Sequence, residues 1–190
     1  MRRQTRFRLR PRGFAVFLAL LTLTVSSISC APKATLAPGS SLPLTSFSEN
    51  SVDVSIALTR DALGTILLTA TFTPPPDSYL YSKDLPRTGV DGLGRPTLLE
   101  LTDRSKIQAL GTLMESLPAF MEKFESLELP TYPIGPLTLS LPVSLPAGSE
   151  WVNDEISVTF MACTDNGCKP PVIGKIVQVR VPGAGLISHP

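Results

Sequence analysis

Histidine and cysteine are scarce in this chain of 190 residues, which has one histidine and three cysteines. The histidine, His189, is the second-last residue, where chain ends usually fray, so it is a poor candidate for a metal ligand. We therefore expect neither a metal site nor a bound cofactor. Internal repeats and heptads are also missing, which argues against a repeat array or a coiled coil.

Acidic residues are absent from the first twelve positions, where six of the 17 basic residues lie. Without residues 1–29 the chain keeps 11 basic and 16 acidic residues, a net charge of −5. Nucleic-acid binding depends on clustered lysine and arginine, so this balance argues against a nucleic-acid partner. The amino-terminal arginines are better explained by targeting.

One long apolar run, residues 14–28, follows the arginines. This order is typical of a secretory signal, whereas a permanent membrane span needs roughly 20 apolar residues. The segment Ser27–Ala31 resembles a bacterial lipobox, in which the cysteine, here Cys30, is lipidated. The alternative is an ordinary cleavage site beside an incidental cysteine. We predict a lipoprotein signal peptide over 1–29 and a protein held by lipid on the periplasmic side of a bacterial membrane.

The rest of the chain has the pattern of an all-β domain. A segment rich in proline, serine and threonine, 30–49, predicts a flexible tether, and residues 183–190 a short tail. Between them, apolar residues alternate with polar ones in short runs that end at proline or glycine. The expected strands cover 52–58, 64–73, 79–82, 97–102, 137–145, 155–161 and 173–181. Pro118 interrupts the partly helical spacing of 112–128, which predicts a long loop or a short helix there. The pattern favours an immunoglobulin-like antiparallel β-sandwich over residues 50–182.

Two cysteines lie five positions apart on either side of a turn signal. The four residues between Cys163 and Cys168 include Asp165, Asn166 and Gly167, and Asn-Gly is a strong hairpin signal because both residues tolerate positive φ. Such a hairpin would bring the sulfurs within disulfide range. A bridge across about six residues stabilises the fold by only roughly 2 kcal/mol, against about 4.7 for a 100-residue loop. A redox-active pair, a structural bridge and a metal site, in which Met161 could help to bind copper, all remain open on spacing alone.

Three segments resemble one known family. Ala162–Val172 is similar to the active-site segment of the amino-terminal periplasmic domain of the thiol:disulfide interchange protein DsbD, the disulfide bond corrector domain. Ser78–Ser82 resembles that family's aromatic strand, and Thr131–Val143 resembles its tyrosine followed by a Leu-Pro strand. The resemblance covers roughly residues 50–182.

The resemblance implies an immunoglobulin-like fold and a thiol:disulfide interchange activity of the protein-disulfide reductase type. Cys168 would attack the disulfide of a partner and Cys163 would resolve the mixed disulfide. The implied site has aromatic walls and an aromatic cap, for which the candidates are Tyr79, Tyr81, Phe120 and Phe124. Reducing equivalents would come from a membrane thiol–disulfide conduit or a thioredoxin-like protein and pass to periplasmic disulfide-bonded proteins. A lipid on Cys30 would take the place of the membrane fusion found in the full family protein. A non-redox binding module with a structural disulfide and a metal chaperone are the alternatives.

Overall fold

The structure, a computed structural model, describes residues 34–124 and 127–188. The predicted signal peptide 1–29 and the predicted lipid site Cys30 lie outside the described residues. The strands are β1 (Ala34–Thr35), β2 (Ser41–Glu49), β3 (Val52–Arg60), β4 (Ile66–Thr73), β5 (Tyr79–Leu80), β6 (Leu98–Leu101), β7 (Gln108–Ala109), β8 (Met114–Glu115), β9 (Phe120–Phe124), β10 (Leu127–Thr131), β11 (Leu137–Ser144), β12 (Trp151–Phe160), β13 (Ala162–Thr164), β14 (Gly167–Cys168), β15 (Val172–Pro182) and β16 (Ile187–Ser188). A 3-10 turn spans Ala184–Leu186. None of the described residues forms a helix that could cross a membrane.

Two antiparallel sheets form the core of the domain. The larger has the order β2-β3-β4-β11-β7, with β8 also paired to β11, and the smaller has the order β15-β12-β6. Their facing sides share one apolar cluster, in which the rings of Phe72 from β4 and Phe160 from β12 meet edge to face with centroids 5.6 Å apart. The prediction of an all-β, immunoglobulin-like sandwich is confirmed.

Alternation of apolar and polar residues explains why these segments are strands. Every second residue of β3 from Val52 onward is buried, and so is every second residue of β11 from Leu137 onward. Each strand therefore has one face in the core, where a fully buried leucine, isoleucine or phenylalanine contributes about 1.5–3 kcal/mol. β4 ends at three consecutive prolines, which cannot donate to a ladder.

The predicted tether is wrong over residues 41–49, which form β2. This strand pairs with β3 from Ser41 opposite Thr59 to Glu49 opposite Val52, with one irregularity after Pro43. Three apolar side chains of β2 pack against the core, namely Leu42, Leu44 and Phe47. Serine and threonine between them fit an exposed strand face as well as they fit a tether, which is why composition was misleading. Part of the predicted tail is also packed, since Leu186 and Ile187 are buried.

The predicted loop or short helix near 112–128 has no helix among its described residues: it is a loop up to residue 119, interrupted by β8, and strand over Phe120–Phe124 and from Leu127. β8 adds to the larger sheet, and β9 and β10 form an antiparallel hairpin in which Phe120 lies opposite Thr131 and Phe124 opposite Leu127. The apolar residues here fit the period of a helix as well as that of a strand, so the sequence pattern did not exclude the short helix. Pairing with β10 provides partners for the backbone hydrogen-bonding groups of β9. A hairpin can also leave one face exposed, so this segment does not need the continuous apolar stripe of a packed helix.

Candidate functional site

A third, small sheet carries the two cysteines. β13 and β14 form a hairpin in which Cys163 lies directly opposite Cys168, and β5 pairs with the other edge of β13. The two sulfurs form a disulfide, with their Cα atoms 4.0 Å apart. The structure therefore describes the oxidised form of the pair.

The hairpin turn is centred one residue earlier than the Asn-Gly signal suggests. Thr164 pairs with Gly167, so the two turn residues are Asp165 and Asn166. Neither has a positive φ, and Gly167 alone does, at 137°. The Thr164 hydroxyl accepts from the Asn166 N–H and donates to the Gly167 carbonyl, both at 3.3 Å. Glycine is favoured at the last position of a turn with negative φ at its centre, so the same dipeptide serves a different turn type.

The two cysteines have opposite environments. Cys163 is 1% exposed, whereas Cys168 is an exposed residue. Tyr79 lies opposite Cys163 on β5, and Leu129 of β10 packs in the same cluster. The buried sulfur is therefore covered by side chains from two other strands, while Cys168 lies at the open edge of the sheet.

Three aromatic rings form the cover over Cys163. Tyr79 and Tyr81 meet edge to face with centroids 5.7 Å apart, and the Phe124 ring lies 5.7 Å from Tyr79 and 6.4 Å from Tyr81. Phe120, in contrast, lies outside this cluster and is 49% exposed. The structure thus brings Tyr79, Tyr81 and Phe124 to the cysteines and leaves the other proposed cap residue at the surface.

Main-chain contacts hold Tyr81 in place, and a loop glycine packs against its ring. The Thr97 hydroxyl donates to the Tyr81 carbonyl at 2.8 Å, and Tyr81 is bridged to Thr131 on its other side. A side chain at Gly94 would meet the Tyr81 ring at 3.3 Å and Leu85 at 2.8 Å. The loop between β5 and β6 therefore packs directly against the aromatic cover.

Because the two tyrosines are buried, they line the site and do not act as bases. Burial raises the pKa of Tyr79, and its neighbour Tyr81 and the charge of Glu122 raise it further. Burial also raises the pKa of Tyr81, to which Glu122 adds, although a hydrogen bond from Tyr79 acts the other way. Both phenols are therefore neutral at the pH of living cells.

Sequence reasoning missed Glu122, which the structure places beside the two tyrosines. Its carboxylate accepts a hydrogen bond from the Thr131 hydroxyl at 3.0 Å. Glu122 lies two positions before Phe124 on β9 and therefore on the same face, so it could have been found only if residues 120–124 had been recognised as a strand. Leu85 and Leu129 were also missed, because they reach the site from parts of the chain that are distant from the cysteines in sequence.

An open groove of 510 Å³ lies against the same hairpin, lined by Cys168 and Lys169 on one side and by Pro75, Pro76 and Ser78 on the other. Ala162 and Thr164 also line it and, like Lys169, alternate with the two cysteines, which places most of the groove on the face opposite the aromatic cover. Within the described residues, no group of three or more histidine, cysteine, aspartate or glutamate side chains could hold a metal ion.

Comparison with protein-family models and with curated proteins found no match for the chain. Solved structures that are similar to it include the following two. The amino-terminal domain of DsbD from Neisseria meningitidis, in its reduced form, is 13% identical, with 78% of this chain and 90% of that chain covered and a TM-score of 0.40. The amino-terminal periplasmic domain of ScsB from Proteus mirabilis is 11% identical, with 75% of this chain and 52% of that chain covered and a TM-score of 0.43. Because both likenesses are weak, the function proposed below depends on the cysteine pair itself.

Proposed function

We propose that this chain is a thiol–disulfide exchange protein that uses Cys163 and Cys168 to pass reducing equivalents to disulfide-bonded proteins. The observation that carries the proposal is the unequal exposure of one bonded pair: Cys168 is open to a partner, and Cys163 lies under an aromatic cover. A bridge whose purpose was stability would gain more by joining distant segments than by closing a six-residue hairpin.

The exposures assign a separate step to each sulfur. In the reduced protein, the Cys168 thiolate attacks one sulfur of the partner's disulfide, a Cys168–partner bond forms, and the partner's second sulfur leaves as a thiolate that takes up a proton. The Cys163 thiolate then attacks Cys168, forms the bond seen here, and releases the partner's first sulfur. The partner gains two electrons and two protons, and the pair loses them.

A dithiol donor must then reduce the pair again. The resemblance of Ala162–Val172 to the DsbD family supports a membrane thiol–disulfide conduit or a thioredoxin-like protein as this donor. In the same proposal the protein works outside the cytoplasm, anchored through a lipid on Cys30. Anchoring would raise the effective concentration of the pair near a membrane partner without any new contact.

Single-cysteine variants test the assignment of the sulfurs. In a Cys30→Ala background, we expect Cys163→Ala to form a 1:1 mixed disulfide, visible on a non-reducing gel, with a thioredoxin that keeps only its attacking cysteine, activated as the mixed disulfide with thionitrobenzoate. Thionitrobenzoate leaves as the thiolate, and no second thioredoxin cysteine is present to reverse the bond. The matched variant Cys168→Ala leaves only the covered sulfur and should form at least about tenfold less. Equal trapping by both variants, or none by either, would contradict the proposed exchange.

Labelling tests the anchor independently. A fatty-acid analogue supplied to cells that express the chain should label the protein, and Cys30→Ala should abolish the label. Label that persists in this variant would show that the lipid is not on Cys30 and would leave the exchange chemistry unaffected.

A further inference from the structure

The outer edge of β14 has an unusual hydrogen-bonding position at Cys168. The Lys169 N–H donates to the Ala162 carbonyl at 2.9 Å, so this pair of residues is hydrogen-bonded across the hairpin. Hydrogen-bonded and non-hydrogen-bonded pairs alternate in an antiparallel ladder. Cys163 and Cys168, one position along, therefore form a non-hydrogen-bonded pair. It follows that the N–H and the carbonyl of Cys168 point away from β13.

These two groups lie at a free edge, because β14 is the last strand of its sheet among the described residues. Edges of this kind pair readily with another extended chain. Here only one residue of the edge, Cys168, has backbone groups that can pair with another chain. Gly167 and Lys169 direct their backbone groups inward to β13, and Pro170 and Pro171 have no N–H to offer. The free donor and acceptor thus belong to the same residue as the accessible sulfur.

We propose that an extended segment of the disulfide-bearing protein adds to β14 as a further strand, with its reactive cysteine opposite Cys168. The N–H of that cysteine donates to the Cys168 carbonyl, and its own carbonyl accepts from the Cys168 N–H. This inference rests on the proposed exchange function and identifies how that function recognises its substrate. Paired strands lie about 4.8 Å apart, which brings the two opposed sulfur-bearing side chains to the same face and within reach of each other.

The groove on the opposite face fits the same arrangement. Residues next to the partner's cysteine would alternate to the face on which Ser78, Pro76 and Lys169 line the 510 Å³ groove. The site would therefore accept many sequences, because main-chain bonds provide the recognition and an open groove takes the flanking side chains. A one-residue ladder is also weak, which suits a carrier that must release its product.

Backbone methylation of a model substrate tests this pairing. The probe is the homodisulfide of a seven-residue, threonine- and valine-rich peptide with a central cysteine, reacted with the full chain carrying Cys30→Ala and Cys163→Ala. One version is N-methylated on the cysteine, whose N–H should face β14. The matched control is N-methylated on the next residue, whose N–H should face solvent. The rate at which each peptide disulfide reacts with the protein is divided by its rate of reaction with dithiothreitol. This ratio removes differences in the intrinsic reactivity of the peptide disulfides.

The proposal predicts equal rates for the unmodified peptide and the control, and a rate about tenfold lower for the peptide methylated on cysteine. Equal rates for all three peptides, or an equal loss for both methylated ones, would overturn it while leaving exchange through Cys168 intact. A chain that reacts with none of them would contradict the proposed function itself.

Hydrogen exchange at one amide gives a second, independent readout. In the mixed disulfide with the unmodified peptide, the Cys168 amide should exchange at least about tenfold more slowly than in the mixed disulfide with 2-mercaptoethanol, which has no peptide N–H or carbonyl to pair with Cys168. Equal exchange in the two adducts would contradict strand addition. Protection of the same amide in the free chain, rising with concentration, would show that a second copy occupies the edge and would also overturn the proposal.

Discussion

At the scale of single residues, the site depends on a difference between two cysteines that face each other. The sequence predicted their pairing, because spacing and turn residues are local signals. It also named Tyr79, Tyr81 and Phe124, through a family resemblance. It could not separate Phe124 from Phe120, since both are phenylalanines on one face of the same strand. Only the packing of β9 against β5 decides which ring covers Cys163.

Replacement of Phe124 by alanine should therefore uncover the buried sulfur. We expect the reduced variant to be alkylated at Cys163 several-fold faster than the parent chain, with peptide mass spectrometry as the measurement. Because Phe124 is only partly buried, the free energy of unfolding should fall by about 1–2 kcal/mol, less than the 3–5 of a fully buried phenylalanine. Phe120→Ala is the matched control and should change neither quantity. The same alkylation rate in both variants would show that Phe124 does not cover the site.

The three tyrosines of the chain should titrate abnormally. Burial is the largest cause that raises the pKa of Tyr79, Tyr81 and Tyr132 in the folded protein, whereas an unfolded tyrosine titrates near pH 10.0. The unfolded state therefore releases protons first, so the stabilisation is fully present below about pH 10 and is lost as the pH rises above it. At pH 10 the folded chain should show little tyrosinate absorbance, and the chain unfolded in denaturant about half of the maximum. Equal absorbance in the two states would contradict the described burial.

At the scale of elements, alternation identified the strands that have one long, regular face in the core, and it failed where the apolar pattern is interrupted or fits more than one period. β3, β4 and β11 were predicted because every second residue is apolar over a long run. β2 was missed because its apolar residues are interrupted by Pro43 and by a change of register. β9 was missed because its pairing partner, β10, determines the conformation more than its own sequence does.

Removal of β2 tests the corrected boundary of the domain. Compared with a chain that begins at residue 41, a chain that begins at residue 50 loses the contacts of Leu42, Leu44 and Phe47 with the core. Three partly buried apolar side chains at about 1 kcal/mol each correspond to a loss of roughly 10 °C in melting temperature for a domain of this size. Thermal melts of residues 41–188 and 50–188 compare the two directly, because both chains keep the buried Leu186 and Ile187 and both lack the buried Leu36. Identical midpoints would mean that 41–49 is a tether after all.

At the scale of the whole molecule, the proposed function requires a fold that does not depend on the disulfide. The bridge closes a hairpin of six residues and is therefore worth only about 2 kcal/mol to stability. The core is built from two other sheets, whose faces meet at Phe72 and Phe160. A domain of this size has typically 5–15 kcal/mol in total, so the loss of the bridge should leave it folded.

Melts of the oxidised and the reduced protein, followed by circular dichroism, test the carrier function most directly. A carrier must exist in both redox states, whereas a structural bridge is needed for folding. We expect cooperative unfolding of both forms, with midpoints that differ by no more than roughly 10 °C, from about 2–4 °C per kcal/mol. The variant with Cys163 and Cys168 both replaced by alanine should melt close to the reduced form. A reduced protein that is already unfolded at 25 °C would show that the disulfide is structural and would contradict the proposed exchange function.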